Sequence, residues 1–76
     1  MTLSINSKDA ETLLAWLKDQ RQSRGMSMRE LGDLLGVPHS FVQKVESGER
    51  RLDVVEYVWY CKALGISPMD GIRKVS

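Results

Sequence analysis

The sequence has few metal-ligating side chains and no long apolar run. Its single cysteine, Cys61, excludes a disulfide within the chain. Cys61 and the single histidine, His39, are two ligands, whereas a structural zinc site of Cys and His needs about four. No segment approaches the ~18 consecutive apolar residues that span a membrane. Residues 1–9 lack the basic stretch and apolar run of a signal peptide. We therefore expect a cytoplasmic protein with no cofactor, no membrane partner and no small-molecule ligand.

Excess charge is also missing, because 11 Lys and Arg face 10 Asp and Glu, a net charge of +1. Domains that bind nucleic acid usually have a pI above ~9, so the overall charge by itself argues against a nucleic-acid-binding domain. A content of 42% hydrophobic and 28% charged residues is typical of a globular domain. With 76 residues, the chain can form one small core, which excludes a two-domain enzyme with a cleft between lobes.

Apolar residues recur with the 3.6-residue period of helices, and the alternation of strands is absent. Glycines divide the chain into short blocks, and two blocks open with a capping box, Ser27 with Glu30 and Asp53 with Glu56. The predicted helical blocks are Asp9–Arg24, Ser27–Leu35, His39–Ser47, Asp53–Leu64 and Pro68–Val75. The sequence thus predicts an all-α fold, with residues 1–8 as an N-terminal extension and residues 9–76 as one domain.

Several positions within these blocks carry specific expectations. Arg21 lies one turn after Leu17, on or beside the buried stripe of the first helix, where a charge needs a partner. Gly32 lies mid-helix at a cost of up to about 1 kcal/mol relative to alanine, which predicts close approach by another helix. Cys61 is expected to be a small core residue. The apolar face of the second helix is expected to comprise Leu31, Leu34 and Leu35.

The second and third blocks have the pattern of a helix-turn-helix, two short helices joined by a turn with glycine. The residues at its expected seam and turn positions are Leu31, Gly32, Leu35, Gly36, Val37, Val42 and Val45. The segment from Arg24 to Arg51 resembles the phage-repressor/Cro-type (Xre) family of helix-turn-helix transcriptional regulators. The resemblance extends roughly from Leu13 to Ile72. It implies a compact five-helix lambda-repressor-like DNA-binding domain.

In that family the third helix is the recognition helix, whose first residues face base edges in the major groove. The matching base-contacting residues are His39, Ser40, Gln43 and Lys44. Glutamine can bond adenine through two hydrogen bonds, and lysine can reach guanine. The residues that match contacts to the DNA backbone are Ser27, Met28, Arg29, Phe41, Arg50 and Arg51. Met28 replaces a frequent glutamine, whose phosphate contact then falls to Arg29 or the helix N-terminus. Phe41 is expected to touch a thymine methyl or to pack against the second helix.

The family also pairs an arginine of the first helix with a glutamate at the end of the third. Arg21 and Glu46 match these positions as a structural ion pair. The fourth helix is apolar nearly all round, more than a domain of this size can enclose. We therefore expect a homodimer through the C-terminal helices, and the alternative is an internal core with one partly exposed aromatic. The expected interface residues are Tyr57, Trp59, Tyr60 and Ile72.

The resemblance predicts a bacterial or phage regulator that binds a palindromic double-stranded DNA operator as a homodimer, more often as a repressor than as an activator. The segment 21–51 has a local basic excess, with six basic and four acidic residues. His39 and Ser40 cannot form a catalytic dyad because neighbours on a helix diverge, and no enzyme is expected. The alternatives are an antitoxin, a restriction-modification controller protein and a protein-interaction module of the same fold.

Overall fold

The chain folds into five α-helices in the computed structural model, which describes residues 8–75. The helices are α1 (Lys8–Ser23), α2 (Met28–Leu35), α3 (His39–Ser47), α4 (Val54–Leu64) and α5 (Pro68–Lys74). No strand occurs in this range, so the predicted all-α fold is confirmed there. Among the described residues α1 already includes Lys8, which the prediction placed in the N-terminal extension. The rest of the predicted N-terminal extension, residues 1–7, lies outside the described residues, as does Ser76.

Capping boxes start α2 and α4, as predicted. Ser27 Oγ accepts the Glu30 N–H at 3.0 Å, and the Glu30 carboxylate accepts the Ser27 N–H at 3.0 Å. Asp53 and Glu56 make the same reciprocal pair at 2.7 and 3.0 Å. Each pair satisfies two N–H groups that a helix start leaves without a partner. The starts of α2 and α4 are therefore set by local sequence.

The core is formed by side chains from α1 to α4 that are at most 2% exposed: Leu17, Leu31, Val42, Val45, Tyr60, Cys61 and Leu64. The predictions for Val42, Val45 and Cys61 are confirmed. The prediction for Leu34 is wrong, because this side chain is 62% exposed. Helix α2 buries Leu31 and Gly32, which turns Leu34 away from the core.

Gly32 lies against the chain that enters α3. A methyl group on Gly32 would lie 2.8 Å from the Val37 carbonyl oxygen and 3.3 Å from the His39 nitrogen. The main chain of the turn, and not the face of a second helix, is therefore what excludes a larger side chain. The Val37 N–H donates to the Gly32 carbonyl at 2.9 Å, which fixes this approach.

Two aromatic residues of α4 lie inside the monomer. Tyr57 is 8% exposed, and its hydroxyl donates to the Pro68 carbonyl at 2.6 Å. Tyr60 is 1% exposed. The prediction that Tyr57 and Tyr60 form a dimer interface is therefore wrong, because α4 packs this face against α1, α2 and α5. The other two predicted interface residues, Trp59 and Ile72, are 59% and 48% exposed.

Candidate nucleic-acid interface

Helix α3 presents a polar face to solvent and an apolar face to the core. Val42 and Val45 are completely buried and anchor the helix. The residues that are exposed on the opposite side include the four predicted base-contacting residues, His39, Ser40, Gln43 and Lys44. The helical period brings them together, because residues three and four apart lie on one face. The result is a ridge of hydrogen-bonding side chains on a short helix.

The turn between α2 and α3 fixes the orientation of this ridge. Gly36 has a φ of 72°, a left-handed conformation that favours glycine. The Gly36 N–H donates to the Asp33 carbonyl at 3.3 Å. The Phe41 N–H donates to the Pro38 carbonyl at 3.0 Å, which closes the first turn of α3. The two helices therefore form a rigid helix-turn-helix.

The start of α2 lies in the predicted DNA-backbone set. Ser27 and Arg29 are exposed, whereas Met28 is half-buried and packs against the core. The Ser27 hydroxyl accepts the Glu30 N–H, so it already has a structural role. The structure leaves the Arg29 side chain and the main chain at the helix N-terminus facing solvent. Both can attract a phosphate.

The loop after α3 carries Arg50 and Arg51, and the two differ in environment. Arg51 is exposed, whereas Arg50 is half-buried. The Arg50 guanidinium donates to both carboxylate oxygens of Glu56, at 3.1 and 2.7 Å, and to the Arg51 carbonyl at 2.6 Å. Its central carbon lies 4.4 Å from the centre of the Phe41 ring. The sequence predicts a phosphate contact for Arg50 and does not predict these partners within the protein.

Phe41 packs inward. The ring is half-buried against the hydrophobic core and lies under the Arg50 guanidinium. The structure shows Phe41 packed against the hydrophobic core, and its contact with a thymine methyl stays a prediction. The network of Phe41, Arg50 and Glu56 was missed from sequence, because nothing in the spacing of these residues shows that a loop folds back over α3. The only sequence signal was a capping-box glutamate close to an arginine-rich loop.

Arg21 and Glu46 tie α1 to the last turn of α3. Arg21 Nε donates to Glu46 Oε2 at 2.6 Å, and Arg21 Nη2 donates to Glu46 Oε1 at 3.1 Å. Arg21 also donates to the Met26 carbonyl at 2.7 Å. The two side chains are only 9% and 4% exposed. The hydrogen bond from Arg21 to Glu46 raises the pKa of the guanidinium, so this residue stays charged.

The two capping-box glutamates are held ionised. The pKa of Glu30 lies below its ordinary value because this carboxylate accepts the Ser27 backbone N–H. The pKa of Glu56 is lowered first by Arg50 and then by the Asp53 backbone N–H. Both negative charges are already used by helix caps or by arginine. The negative charge of Glu56 is offset by Arg50, and that of Glu30 lies at the positive end of α2.

Neither metal-binding clusters nor membrane-spanning helices are found between residues 8 and 75. No group of three or more His, Cys, Asp or Glu side chains there could hold a metal ion. None of the five helices is long and apolar enough to cross a membrane. The candidate functional site is the ridge on α3, which presents hydrogen-bond donors and acceptors to solvent.

Comparison with known proteins agrees with this geometry. The family described as "Helix-turn-helix" matches residues 17–70. No protein of curated function gives a significant match. An XRE-family like protein from Pseudomonas syringae pv. tomato str. DC3000 superposes with a TM-score of 0.84 and 38% identity, over 90% of this chain and 83% of that chain.

Two further solved structures have regulator names. The restriction-modification controller protein C.AhdI from Aeromonas hydrophila is 29% identical, with a TM-score of 0.78 over 86% of this chain and 98% of that chain. The clp gene regulator ClgR from C. glutamicum is 27% identical, with a TM-score of 0.79 over 88% of this chain and 87% of that chain. The five-helix arrangement is therefore shared with regulatory proteins over most of its length.

Proposed function

This chain belongs to the XRE-type helix-turn-helix family of DNA-binding transcriptional regulators, and we propose that it represses transcription by binding a palindromic operator as a homodimer. The observation that carries this proposal is the exposed polar ridge of α3, anchored by Val42 and Val45. A helix with one buried and one polar face, held at a fixed angle on a second helix, fits the major groove. Repression, including that of its own promoter, then requires only occupancy of the DNA.

The four exposed ridge residues are assigned to the base edges. Gln43 can donate to and accept from adenine, and Lys44 can donate to guanine O6 and N7. His39 and Ser40 lie at the start of α3, where side chains of a recognition helix reach the bases. Each can donate or accept, so either can bind several base edges. These four side chains would determine which operator is bound.

Contacts to the DNA backbone are assigned to the start of α2 and to the loop after α3. Arg29 is exposed on the first turn of α2. The main-chain N–H groups of Met28 and Arg29 have no partner within the helix, and such groups favour phosphate. Ser27 adds a hydroxyl beside them. Arg51 would reach the backbone on the other side of α3.

A homodimer is supported by the apolar surface of α4 and α5. The large apolar side chains exposed there are Val54, Val55, Trp59, Met69 and Ile72, each 48% to 78% exposed. A two-fold dimer would place two recognition helices about 34 Å apart, one helical turn of DNA. The net charge of +1 gives each subunit little electrostatic affinity, so two half-sites would be needed for tight binding.

Selection of bound duplexes from a random DNA pool tests this function. We expect enrichment of an inverted repeat whose half-sites lie about one helical turn apart. Failure to enrich any sequence would reject operator binding. Enrichment of a single, unrepeated half-site would reject the dimer and leave specific DNA binding in place.

A narrower role as a restriction-modification controller is the second candidate. It is supported by the similarity to C.AhdI, which covers 98% of that chain at 29% identity. A DNA methyltransferase gene next to this one, with the selected operator in their shared promoter, would favour this role. An isolated gene, or an operator found only at unrelated promoters, would argue against it.

A further inference from the structure

We infer that Arg50 is a positioning residue, which holds the recognition helix in place through Phe41 and Glu56 instead of binding phosphate. The inference concerns the contacts within the free protein. Its consequence for operator binding rests on the proposed function. It reassigns one of the residues that sequence comparison placed against the DNA backbone.

The first observation is the fork between Arg50 and Glu56. Two guanidinium nitrogens of Arg50 face the two carboxylate oxygens at 3.1 and 2.7 Å, and one nitrogen also donates to the Arg51 carbonyl at 2.6 Å. A two-point contact fixes the plane of the guanidinium as well as its position. The Arg50 side chain is 40% exposed and that of Glu56 is 26% exposed. These donors therefore point along the protein surface toward α4.

The second observation is the aromatic ring on the other side of the fork. The Phe41 ring centre lies 4.4 Å from the central carbon of Arg50, within the range of a cation–π contact. Phe41 is the third residue of α3, next to Ser40 and one turn before Lys44. Since the ring is also packed against the core, Arg50 covers its outer face. A shift of this ring would move the base-facing residues beside it.

The third observation is the double role of Glu56. Its carboxylate accepts the Asp53 N–H at 3.0 Å as part of the α4 cap and also receives Arg50. One carboxylate thus joins the start of α4, the preceding loop and, through Arg50, the start of α3. This connection holds the start of α3 in addition to its packing against α2.

The two possible roles of Arg50, binding a DNA phosphate or positioning α3, predict different effects of its substitution on DNA binding. Loss of a phosphate contact weakens binding to all DNA sequences and reduces the dependence of log K on log salt by about 0.9. A lysine would keep much of such a contact. Loss of a positioning contact weakens operator binding more than binding to random DNA, with the same salt dependence. A lysine cannot form the fork and would not restore it.

The variants Glu56→Gln and Arg50→Lys separate the two roles by anisotropy titration of selected and random duplexes. Glutamine still caps α4 because its side-chain oxygen accepts the Asp53 N–H. We expect each variant to bind the operator about 3- to 10-fold more weakly, the size expected for losing one exposed fork and one cation–π contact. The double variant should lose no more operator affinity than the single variant that binds more weakly, since both substitutions break the same contact between Arg50 and Glu56.

A charge control is Asp19→Asn, which removes one negative charge from the exposed face of α1. It should keep the affinity ratio between operator and random DNA. If Glu56→Gln binds the operator as tightly as the wild type or more tightly, or if Arg50→Lys keeps full affinity, Arg50 is not a positioning residue. A reduced salt dependence in Arg50→Ala would also overturn the inference.

NMR spectra of the free protein test the network without DNA. Glu56→Gln should shift the Phe41 ring resonances and speed amide exchange in α3, whereas Glu30→Gln, the same change at the α2 cap, should leave the ring unchanged. Unchanged Phe41 resonances in Glu56→Gln would refute the inference whatever the DNA result. Shifted resonances in a chain that binds no DNA would uphold the network and refute the proposed function alone.

Discussion

Arg21 Nε lies 2.6 Å from Oε2 of Glu46, which links the last turn of α1 to the last turn of α3. Both side chains are almost completely buried, and Arg21 also holds the Met26 carbonyl between α1 and α2. Burial makes this pair expensive to break, because either charge left alone would lack both water and a partner. The pair therefore ties the end of α3 to α1 and to the turn before α2.

Glu46→Ala should lower the free energy of unfolding by about 3–5 kcal/mol, since it leaves the Arg21 guanidinium buried without its carboxylate. Chemical denaturation measures this loss. Glu49→Ala is the control, because Glu49 is exposed two residues beyond α3 and should change stability by less than about 0.5 kcal/mol. Equal stability of the two variants would contradict the structural role of the pair.

Tyr60→Phe and Tyr57→Phe should differ in stability. The Tyr60 hydroxyl is buried without a hydrogen-bond partner among the described residues, and burial raises its pKa. Removing it should leave the protein as stable as before or more stable. Tyr57→Phe should cost about 0.5–1.5 kcal/mol, because its hydroxyl donates to Pro68. Thermal melts compare the two, and a larger loss in Tyr60→Phe would contradict the described packing.

Stability should fall in acid as the capping glutamates are protonated. The pKa values of Glu30 and Glu56 in the folded chain lie below the ordinary value of 4.5. Their contribution is therefore complete above that value and is lost as the pH falls through the folded pKa values. Urea unfolding between about pH 3 and pH 6 measures this slope. It should be shallower in Glu30→Gln and Glu56→Gln, and an unchanged slope in both would refute this assignment.

The ridge and the flanking arginine should affect DNA binding differently. Gln43→Ala or Lys44→Ala should cost about 1–3 kcal/mol and relax the sequence preference at one base position. Arg51→Ala should weaken binding to all sequences and reduce the salt slope by about 1. Repeating the sequence selection with each variant distinguishes them. A changed consensus with Arg51→Ala, or an unchanged one with both ridge variants, would contradict these roles.

Trp59→Lys should convert the proposed dimer to a monomer, because it places a charge among the exposed apolar side chains of α4. Leu34→Lys is a matched control, since Leu34 is 62% exposed and Trp59 is 59% exposed, but Leu34 lies on α2. Sedimentation velocity should show the monomer only for Trp59→Lys. A dimer that persists in Trp59→Lys would move the interface away from this residue.

Local signals explain why the helices were predicted well. A capping box such as Ser27 with Glu30, or a left-handed glycine such as Gly36, acts within a few residues, so the sequence contains it directly. The inward positions of Val42 and Val45 follow in the same way from the helical period. The outward positions of the other α3 residues follow from that period as well, and only their role at the bases comes from the family resemblance. The structure adds that one rigid helix holds them on a single face.

The errors concern contacts between distant parts of the chain. Helix α4 is apolar nearly all round, so its pattern could not show that Tyr57 and Tyr60 face inward while Trp59 faces solvent. Leu34 fitted a helical stripe, but the close approach at Gly32 sets which face of α2 is buried. The Arg50 network depends on how a loop folds over α3, and no periodicity records that.

The most direct test of the account compares the affinity of the wild-type chain for its selected operator with that for a scrambled duplex of the same composition. Anisotropy titrations at several salt concentrations give both values. The account predicts operator binding at least about 10³-fold tighter than scrambled binding, typical of specific regulators. It also predicts a small salt slope for each subunit. Equal affinity for the two duplexes would contradict sequence-specific recognition by the exposed face of α3.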